Sequence, residues 1–429
     1  FRTMTALSKG QTPGPESSIG KVINANQMMD IANTAIEAQD HYGIINDPDL
    51  APLEGAFHQS YMFAPGLRIA GGTDEILKNI IAERVLGLPQ DVRVDKGVAY
   101  IHDEIGKLEA KGRLDGDAAN QLRALVTGTT DKSLYADCDF VIEAVFEEVG
   151  VKQAVFGEIE KIVAEDAILA TNTSSLSVEE IGSKLAHPER LVGFHFFNPV
   201  AVMPLIEIVK TPVTTESALS TAFVVAKGLG KNAVLTADAP GFVVNRLLAK
   251  VMGEAARAVY EGTPVADVEK AFAPLGLPMG PFQLIDLVGW KVAAHVQDTM
   301  VHAFPDRFYA NENFHRLAEL PEVVEKDKGG RVTGFTKAAQ KIVKDAAGSA
   351  PASADTILRR VQDGLAQEIK LMLDEGVVPE VEDIDLCLIL GAGWPFIDGG
   401  ASPYLDREGA SERAFGDTFH HPVIRGIAG

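Results

Sequence analysis

The spacing of apolar positions changes twice along the chain and divides it into three kinds of predicted structure. Over residues 1–97 apolar residues recur at the helical period, first over residues 19–36 and again over residues 71–89. Over residues 98–237 short β-branched and aromatic runs alternate with helical runs, which is typical of a parallel sheet. From Asp238 onward the pattern is helical. We therefore predict an α/β part followed by an all-α part, with a helical segment in front of both.

The α/β part opens with helices and then changes to strands. Residues 98–124 predict two helices joined by a glycine-containing turn at residues 112–116. Two strands are predicted next, in the runs DFVIEAVFE and AILATNTSS, with one helix between them in QAVFGEIEKIVAE. A single helix between two strands implies that the strands pair in parallel.

The charge of the chain argues against two classes of partner. Basic residues number 39 and acidic residues 60, which gives a net charge of −21. Nucleic acid and anionic lipid attract basic surfaces, so we expect neither as a partner. The apolar runs are short or broken by Gly and Pro, and we expect no membrane span and no signal peptide. The chain begins with Phe1 rather than Met, which indicates a processed chain or a fragment.

The two cysteines, Cys138 and Cys387, lie far apart in apolar surroundings. We interpret both as buried small hydrophobic residues and not as a disulfide or metal ligands, which predicts a reducing, cytoplasmic location. His420 and His421 are adjacent, but no further ligand has a recognisable spacing from them, so we predict no metal site.

A group of short polar side chains follows the second predicted strand. Asn172, Thr173, Ser174 and Ser175 come directly after its apolar residues. Ligands of open parallel sheets bind beyond the carboxyl ends of the strands, so these side chains are candidates for a binding site. The alternative is that they only cap the next helix.

Two ionisable residues interrupt apolar runs that otherwise predict strands. His195 lies in VGFHFFN and Glu207 in LIEIV. Each alone is compatible with a satisfied core residue, because a buried charge is costly unless it is paired. On two strands joined by five or six residues they can be cross-strand neighbours, and a carboxylate beside an imidazole makes a tuned base. Asn198 and Asn245 add donors that could hold a substrate oxygen.

Several of these segments together resemble a known family. The runs LATNTSSLSVEEI, GFHFFNPVAVMPLIEIVK, DAPGFVVNRLL and GLPMGPFQLIDLVG resemble the successive signatures of the 3-hydroxyacyl-CoA dehydrogenases, in the form found in bacterial multifunctional fatty-acid oxidation proteins. GAGWPF and SPYLDR resemble the second helical domain of those proteins. The resemblance implies a Rossmann-like NAD-binding domain over residues 98–237 and two helical C-terminal domains over residues 238–330 and 331–429.

The resemblance also implies a role for each candidate residue. His195 would be the base that removes the C3 hydroxyl proton, with Glu207 as its orienting partner. Ser174 would bind the substrate oxygen, and Asn245 would help to hold the thioester end. The residues implied to line NAD are Ala144, Glu147, Lys152, Asn172 and Asn198. The implied reaction is NAD-dependent oxidation of L-3-hydroxyacyl-CoA to 3-ketoacyl-CoA in β-oxidation.

The first 97 residues resemble a different family. PGPESSIGKVINANQMMDIANTAIEAQDHYG and GLRIAGGTDEILKNIIAERVLGLPQDVRVDKG are similar to the C-terminal helical domain of acyl-CoA dehydrogenases. Many members of that family carry a catalytic Glu before a Gly-Thr pair, and Gly71 stands at that position here. The flavin-binding β domain is not in the sequence, so we do not expect acyl-CoA dehydrogenase activity from this chain alone.

The family's G-x-G-x-x-G loop is not found before Val98. Its glycines let the backbone approach a pyrophosphate. The run LILGAGWPF is a partial match, but Phe396 stands where the third glycine would be, and we interpret it as a helix end. We therefore predict a truncated Rossmann-like sheet.

Three hypotheses for function follow from these resemblances. The first is the dehydrogenase, working as a homo-oligomer or as a subunit of a fatty-acid oxidation complex. The second is a catalytically silent acyl-CoA-binding or oligomerisation protein. The third is a flavoprotein subunit that another polypeptide completes.

Overall fold

The structure is a computed structural model that describes residues 94–309, 313–344, 348 and 350–420. The helices predicted over residues 19–36 and 71–89 lie outside the described residues. Contacts divide the chain into two units, Phe1–Asp131 and Lys132–Gly429, and each is described by itself.

The described part of the first unit contains two helices, α1 (Val94–Ala110) and α2 (Gly116–Leu125). Asp115 caps α2, since its carboxylate accepts a hydrogen bond from the backbone N–H of Ala118 at 2.7 Å. Gly112 in the connecting turn has a φ of 66°, a conformation that favours glycine. The predicted pair of helices with a glycine-containing turn is confirmed.

A five-stranded sheet forms the centre of the second unit, in strand order 1-2-3-4-5. Its strands are β1 (Phe140–Glu143), β2 (Ile168–Thr171), β3 (Leu191–Phe196), β4 (Leu205–Lys210) and β5 (Asn232–Ala237). The pairs β1–β2, β2–β3 and β4–β5 are parallel, and β3–β4 is antiparallel. The predicted Rossmann-like sheet is confirmed, and it has one antiparallel pair because residues 197–204 turn the chain back. Its truncation stays a prediction, because residues 1–93 lie outside the described residues. That connection is longer than the five or six residues we predicted.

Three helices pack on this sheet: α3 (Val149–Ile159), α4 (Val178–Gly182) and α5 (Glu216–Gly228). One face of the sheet joins a cluster that includes Phe156, Leu169 and Leu191. The other face joins a cluster that includes Phe194 and Ala222. Because both faces of the sheet are buried, the sequences of these strands are nearly continuous apolar runs and do not alternate between apolar and polar residues.

The remainder of the second unit is mainly helical, with one large core. Its helices are α6 (Val244–Tyr260), α7 (Val265–Ala271), α8 (Pro281–Val288), α9 (Trp290–Ala303), α10 (Asn313–Ala318), α11 (Lys337–Lys344), α12 (Ala354–Asp374), α13 (Val381–Cys387), α14 (Ala401–Arg407) and α15 (Ala410–Phe415). No helix in the described part of the chain is both long and apolar enough to cross a membrane.

The expectation that this part is all-helical was wrong. Two short antiparallel strands, β6 (Val324–Lys326) and β7 (Val332–Phe335), form a hairpin. Val324 and Phe335 are paired and buried in the helical core, which explains why the hairpin forms there. The glycine pair in its turn, Gly329 and Gly330, is a hairpin signal that we did not use because long helices are predicted on both sides of it.

Candidate functional site

His195 and Glu207 lie directly opposite each other in the antiparallel register of β3 and β4. The His195 Nδ1 atom is 2.6 Å from the Glu207 Oε2 atom. The side chain of His195 is 7% exposed and that of Glu207 is fully buried. The cross-strand neighbours that the sequence predicts are therefore a buried, hydrogen-bonded pair.

The second oxygen of Glu207 binds the start of helix α6. Glu207 Oε1 accepts hydrogen bonds from the backbone N–H groups of Val243 at 3.2 Å and Val244 at 3.0 Å. A helix N-terminus has unpaired N–H groups and a positive dipole end, and both favour a carboxylate. The charge of Glu207 is thus compensated on both sides.

Two aromatic rings border the imidazole. The ring centroid of Phe197 is 4.5 Å from that of His195, and the centroid of Phe242 is 5.6 Å away. Phe242 has a φ of 48°, uncommon for a bulky residue, and it is fully buried. These contacts restrict the tilt of the imidazole ring.

Helix α6 also connects to the polar residues after β2. The Asn245 side chain donates to the backbone carbonyl of Ser174 at 2.9 Å. Asn245 follows Val244, which binds Glu207, so one helix start holds both the His195–Glu207 pair and the Ser174 loop. The structure therefore links four candidate residues, His195, Glu207, Ser174 and Asn245, through the first residues of α6.

A polar cluster lies at the carboxyl ends of β1 and β2. Glu147 Oε1 accepts from the Ser174 hydroxyl at 3.0 Å and from the Ser174 backbone N–H at 2.7 Å. Thr173 also donates to Glu147, and the Lys152 ammonium lies 3.3 Å from its other oxygen. Burial opposes the charge on Glu147, but the hydrogen bonds from Thr173 and Ser174 and the charge of Lys152 hold the pKa of Glu147 below its usual range.

Lys152 is fully buried and is paired mainly with a residue that the sequence analysis did not select. Its Nζ atom lies 2.8 Å from Oε1 and 3.1 Å from Oε2 of Glu143. Thr171 donates to the same carboxylate at 2.7 Å. Glu143 interrupts an apolar strand in the way Glu207 does, and that signal could have identified it.

The other candidate residues occupy less connected positions. Asn172 Oδ1 accepts from the backbone N–H of Phe196 at 3.1 Å, which joins the loop after β2 to the end of β3. Ala144 is exposed directly after β1, and Asn198 is exposed in the β3–β4 connection.

Sequence comparison identifies the families that these residues belong to. Residues 85–239 match the NAD binding domain of 3-hydroxyacyl-CoA dehydrogenase, and residues 241–334 match its C-terminal domain. Residues 1–86 match the C-terminal domain of acyl-CoA dehydrogenase. NAD is therefore the cofactor of the domain that carries β1 to β5.

The described residues fit a ribose of NAD better than they fit its pyrophosphate. Glu147 is partly exposed beside the exposed Ala144, and a carboxylate there can accept hydrogen bonds from ribose hydroxyls. The Lys152 ammonium is fully buried between two carboxylates and does not reach the surface. A pyrophosphate cradle requires closely approaching backbone, and within the described ranges no strand is followed by G-x-G-x-x-G.

Relatives agree with the family models. The alpha subunit of the fatty acid oxidation complex of Pseudomonas entomophila is 32% identical over 420 residues, which are 94% of this chain and 56% of the relative. The chain thus spans about half the length of the curated relatives it matches.

Two solved structures are also similar to this chain. M. tuberculosis FadB2 is 37% identical, with 53% of this chain and 81% of that chain covered and a TM-score of 0.50. The 3-hydroxybutyryl-CoA dehydrogenase of Escherichia coli K12 shares the fold, with a TM-score of 0.62, 23% identity, and coverage of 78% of this chain and 90% of that chain. Over residues 85–334 this chain belongs to the 3-hydroxyacyl-CoA dehydrogenase family.

Proposed function

We propose that this protein oxidises L-3-hydroxyacyl-CoA to 3-ketoacyl-CoA with NAD, as a step of fatty-acid β-oxidation. The observation that carries the proposal is the 2.6 Å hydrogen bond between His195 Nδ1 and Glu207 Oε2. A buried imidazole paired with a buried carboxylate is suited to remove a proton from a hydroxyl group.

The pairing selects the tautomer of His195. An ionised Glu207 only accepts hydrogen bonds, so Nδ1 of His195 carries a proton and donates it to Oε2. The lone pair then lies on Nε2, which accepts the proton of the C3 hydroxyl. The Val243 and Val244 N–H groups fix Glu207, and Glu207 stabilises the imidazolium that results.

Ser174 and Asn245 position the substrate. The single proton of the C3 hydroxyl goes to His195, so Ser174 must donate to the substrate oxygen. The Ser174 hydroxyl, which bonds to Glu147 at 3.0 Å, would turn to make this bond, and Glu147 would keep its bonds to the Ser174 backbone N–H and the Thr173 hydroxyl. Asn245 fixes the Ser174 backbone through its amide nitrogen, and the remaining amide oxygen and N–H would help to hold the thioester end.

The cofactor would be held at the carboxyl ends of β1 and β2. Ala144 and Glu147 would contact its nicotinamide half, Asn172 and Asn198 would border the nicotinamide, and Lys152 would act by fixing Glu147. NAD supplies the acceptor for the hydride that leaves C3.

The test is titration of the purified chain with NADH, followed by oxidation of NADH with acetoacetyl-CoA. Binding and turnover are expected in the parent chain, with turnover lost and NADH binding retained in His195→Gln. A folded chain that neither binds nor oxidises NADH would contradict the proposal.

One observation favours a second candidate function, a catalytically silent acyl-CoA-binding or oligomerisation protein. The polar atoms of Lys152 are already bonded within the protein, and the described residues provide no pyrophosphate cradle. Acetoacetyl-CoA binding without NADH binding would identify this case. A yellow purified protein would instead indicate a flavoprotein subunit completed by another polypeptide.

We also propose a cytoplasmic homo-oligomer or a subunit of a larger fatty-acid oxidation complex. The names of the relatives support the second arrangement. The proposed division into residues 1–97, 98–237, 238–330 and 331–429 would be tested by limited proteolysis. Multi-angle light scattering would report the number of copies.

A further inference from the structure

The run LILGAGWPF, which partly resembles a nucleotide loop in sequence, lies beside the His195–Glu207 pair. Helix α13 continues as one π-helical turn, Leu388–Ala392, which ends at Gly393 with a φ of 73°. The backbone N–H of Trp394 donates to the Leu388 carbonyl at 3.0 Å. A single π-helical turn within a helix is uncommon and often occurs at functional sites.

Gly391, within this turn, is closely surrounded. A Cβ atom at position 391 would lie 2.7 Å from Leu205 Cδ2, 3.0 Å from Val244 Cγ2 and 3.5 Å from Phe197 Cε1. Leu205 and Val244 are fully buried, and Phe197 is 8% exposed. The first distance is shorter than real Cβ contacts, so any side chain larger than hydrogen would move its neighbours.

Each of the three neighbours is connected to the His195–Glu207 pair in a different way. Leu205 precedes Glu207 by two residues on β4, so both side chains lie on the same face of the sheet. The Val244 N–H binds Glu207 Oε1 at 3.0 Å. The Phe197 ring packs against the His195 ring at 4.5 Å between centroids.

We propose that Gly391 is a positioning residue for the His195–Glu207 pair, acting through Leu205, Val244 and Phe197. The proposal deepens the function proposed above and rests on His195 being the base. It also gives the π-helical turn a role: the turn supports the back of the reaction site, in a segment far from β3 and β4 along the chain.

The physical reason is the density of protein interiors. A methyl group added to a close-packed core shifts side chains or backbone instead of filling a void. Here the atoms that shift are Leu205 Cδ2, Val244 Cγ2 and Phe197 Cε1, which belong to residues next to or in contact with the carboxylate and the imidazole. A misplacement of a fraction of an ångström in a catalytic pair lowers turnover strongly, and binding of the remote part of the substrate is unaffected.

The test uses Gly391→Ala and measures the hydrogen bond between His195 and Glu207 directly, independently of turnover. A short hydrogen bond from an imidazole N–H to a carboxylate gives a downfield proton resonance in NMR spectra. We expect this resonance in the parent protein, assigned by its loss in His195→Gln, and a clear upfield shift or loss in Gly391→Ala. We also expect kcat with acetoacetyl-CoA and NADH to fall by about 10- to 100-fold while KM stays within about twofold.

The matched control is Gly157→Ala in helix α3, where a Cβ atom would meet nothing within 4 Å. Both readouts should stay unchanged there. Adding Leu205→Val to Gly391→Ala removes the Cδ2 atom that lies nearest and should restore the resonance and most of kcat. This double variant also carries the test if Gly391→Ala alone does not fold.

Two results would overturn the proposal. One is a Gly391→Ala protein with the parent resonance and kcat. The other is a folded double variant in which neither readout returns. A parent protein without turnover would refute the proposed function, and the resonance would still decide the role of Gly391.

Discussion

Arg246 of helix α6 and Glu368 of helix α12 form an ion pair that is fully buried. The Arg246 Nε atom lies 2.7 Å from Glu368 Oε1, and neither side chain is exposed. Arg307 and Lys250 also approach Glu368, and the Arg246 guanidinium stacks on the Phe304 ring at 4.4 Å. Because Arg246 follows Asn245 directly, this network anchors the start of the helix that holds the candidate site.

Removal of one member of the pair should therefore be costly. Glu368→Ala leaves the buried Arg246 guanidinium with the partly exposed Glu375 as its remaining partner among the described residues, and we expect a loss of up to about 3–5 kcal/mol in the free energy of unfolding. Urea denaturation would measure it. Glu319→Ala is the control, because the Lys291–Glu319 pair is 71% and 74% exposed, and it should cost less than about 1 kcal/mol. Equal losses in the two variants would contradict this account.

Glu207→Gln should lower activity without unfolding the protein. The amide oxygen can still accept from Val244, which turns the amide nitrogen toward His195 Nδ1 and imposes the wrong tautomer. We expect kcat to fall by roughly 10³- to 10⁴-fold, as is typical of such changes in a catalytic His–carboxylate pair. The exposed His187–Glu189 pair provides the control, Glu189→Gln, whose kcat should equal that of the parent.

Stability should depend on pH through Asp385. Burial raises the pKa of Asp385 from 3.8 to about 6, despite hydrogen bonds from Ser402 and the nearby His420. For a raised pKa, the stabilisation by the bound proton is fully present below 3.8 and is lost as the pH rises through about 6.

Comparison with Asp385→Asn isolates this effect. Between about pH 4 and about pH 7 the parent should lose up to about 3 kcal/mol of unfolding free energy relative to the variant. Denaturant titrations at several pH values would measure the difference. The exposed Asp267→Asn should show no such trend, and a parallel pH profile for Asp385→Asn would refute the prediction.

Gly193 allows β3 and β4 to approach each other two residues before His195. A Cβ at this position would lie 2.5 Å from Val209 Cβ and 3.0 Å from Val178 Cγ2. Gly193→Ala should cost about 1–3 kcal/mol from overpacking. Thermal unfolding would show the loss. Gly157→Ala in α3 meets nothing within 4 Å and should be neutral or stabilising.

Strand β1 has an open edge among the described residues, because it pairs with β2 alone. Ile142 is 40% exposed and Phe146, just beyond the strand, is 82% exposed. Ile142→Lys should reduce self-association at high concentration, because a charged edge discourages strand pairing. Light scattering against concentration would measure this. Val224→Lys, on the exposed face of α5, should leave scattering unchanged.

The His195–Glu207 pair was predictable because each residue is a local anomaly in an apolar strand. The cost of burying a charge requires a partner, and two strands close in sequence offer few choices. The two helices of the first unit and the alternation of β1, α3 and β2 followed from spacing and turn residues alone. These predictions depended only on contacts between neighbours in the chain.

Contacts between distant segments were not predictable in this way. Nothing near Ser174 indicates that Asn245 will bind its carbonyl, and Gly391 in a helical run gives no sign of Leu205. The β6–β7 hairpin was missed because its strands are short and lie among long helices. In each case tertiary packing between distant segments determines the contact, and a single sequence does not show which segments pack together.

The sheet order, in which each strand pairs with its neighbours in sequence, bears on how the second unit folds. Every pairing closes only the loop between consecutive strands, so the entropy lost at each step is small. Nucleation can begin at any adjacent pair and proceed in the direction of synthesis. His195 and Glu207 meet at the shortest of these four closures, residues 197–204, so we expect this pair to form before the helices that enclose it.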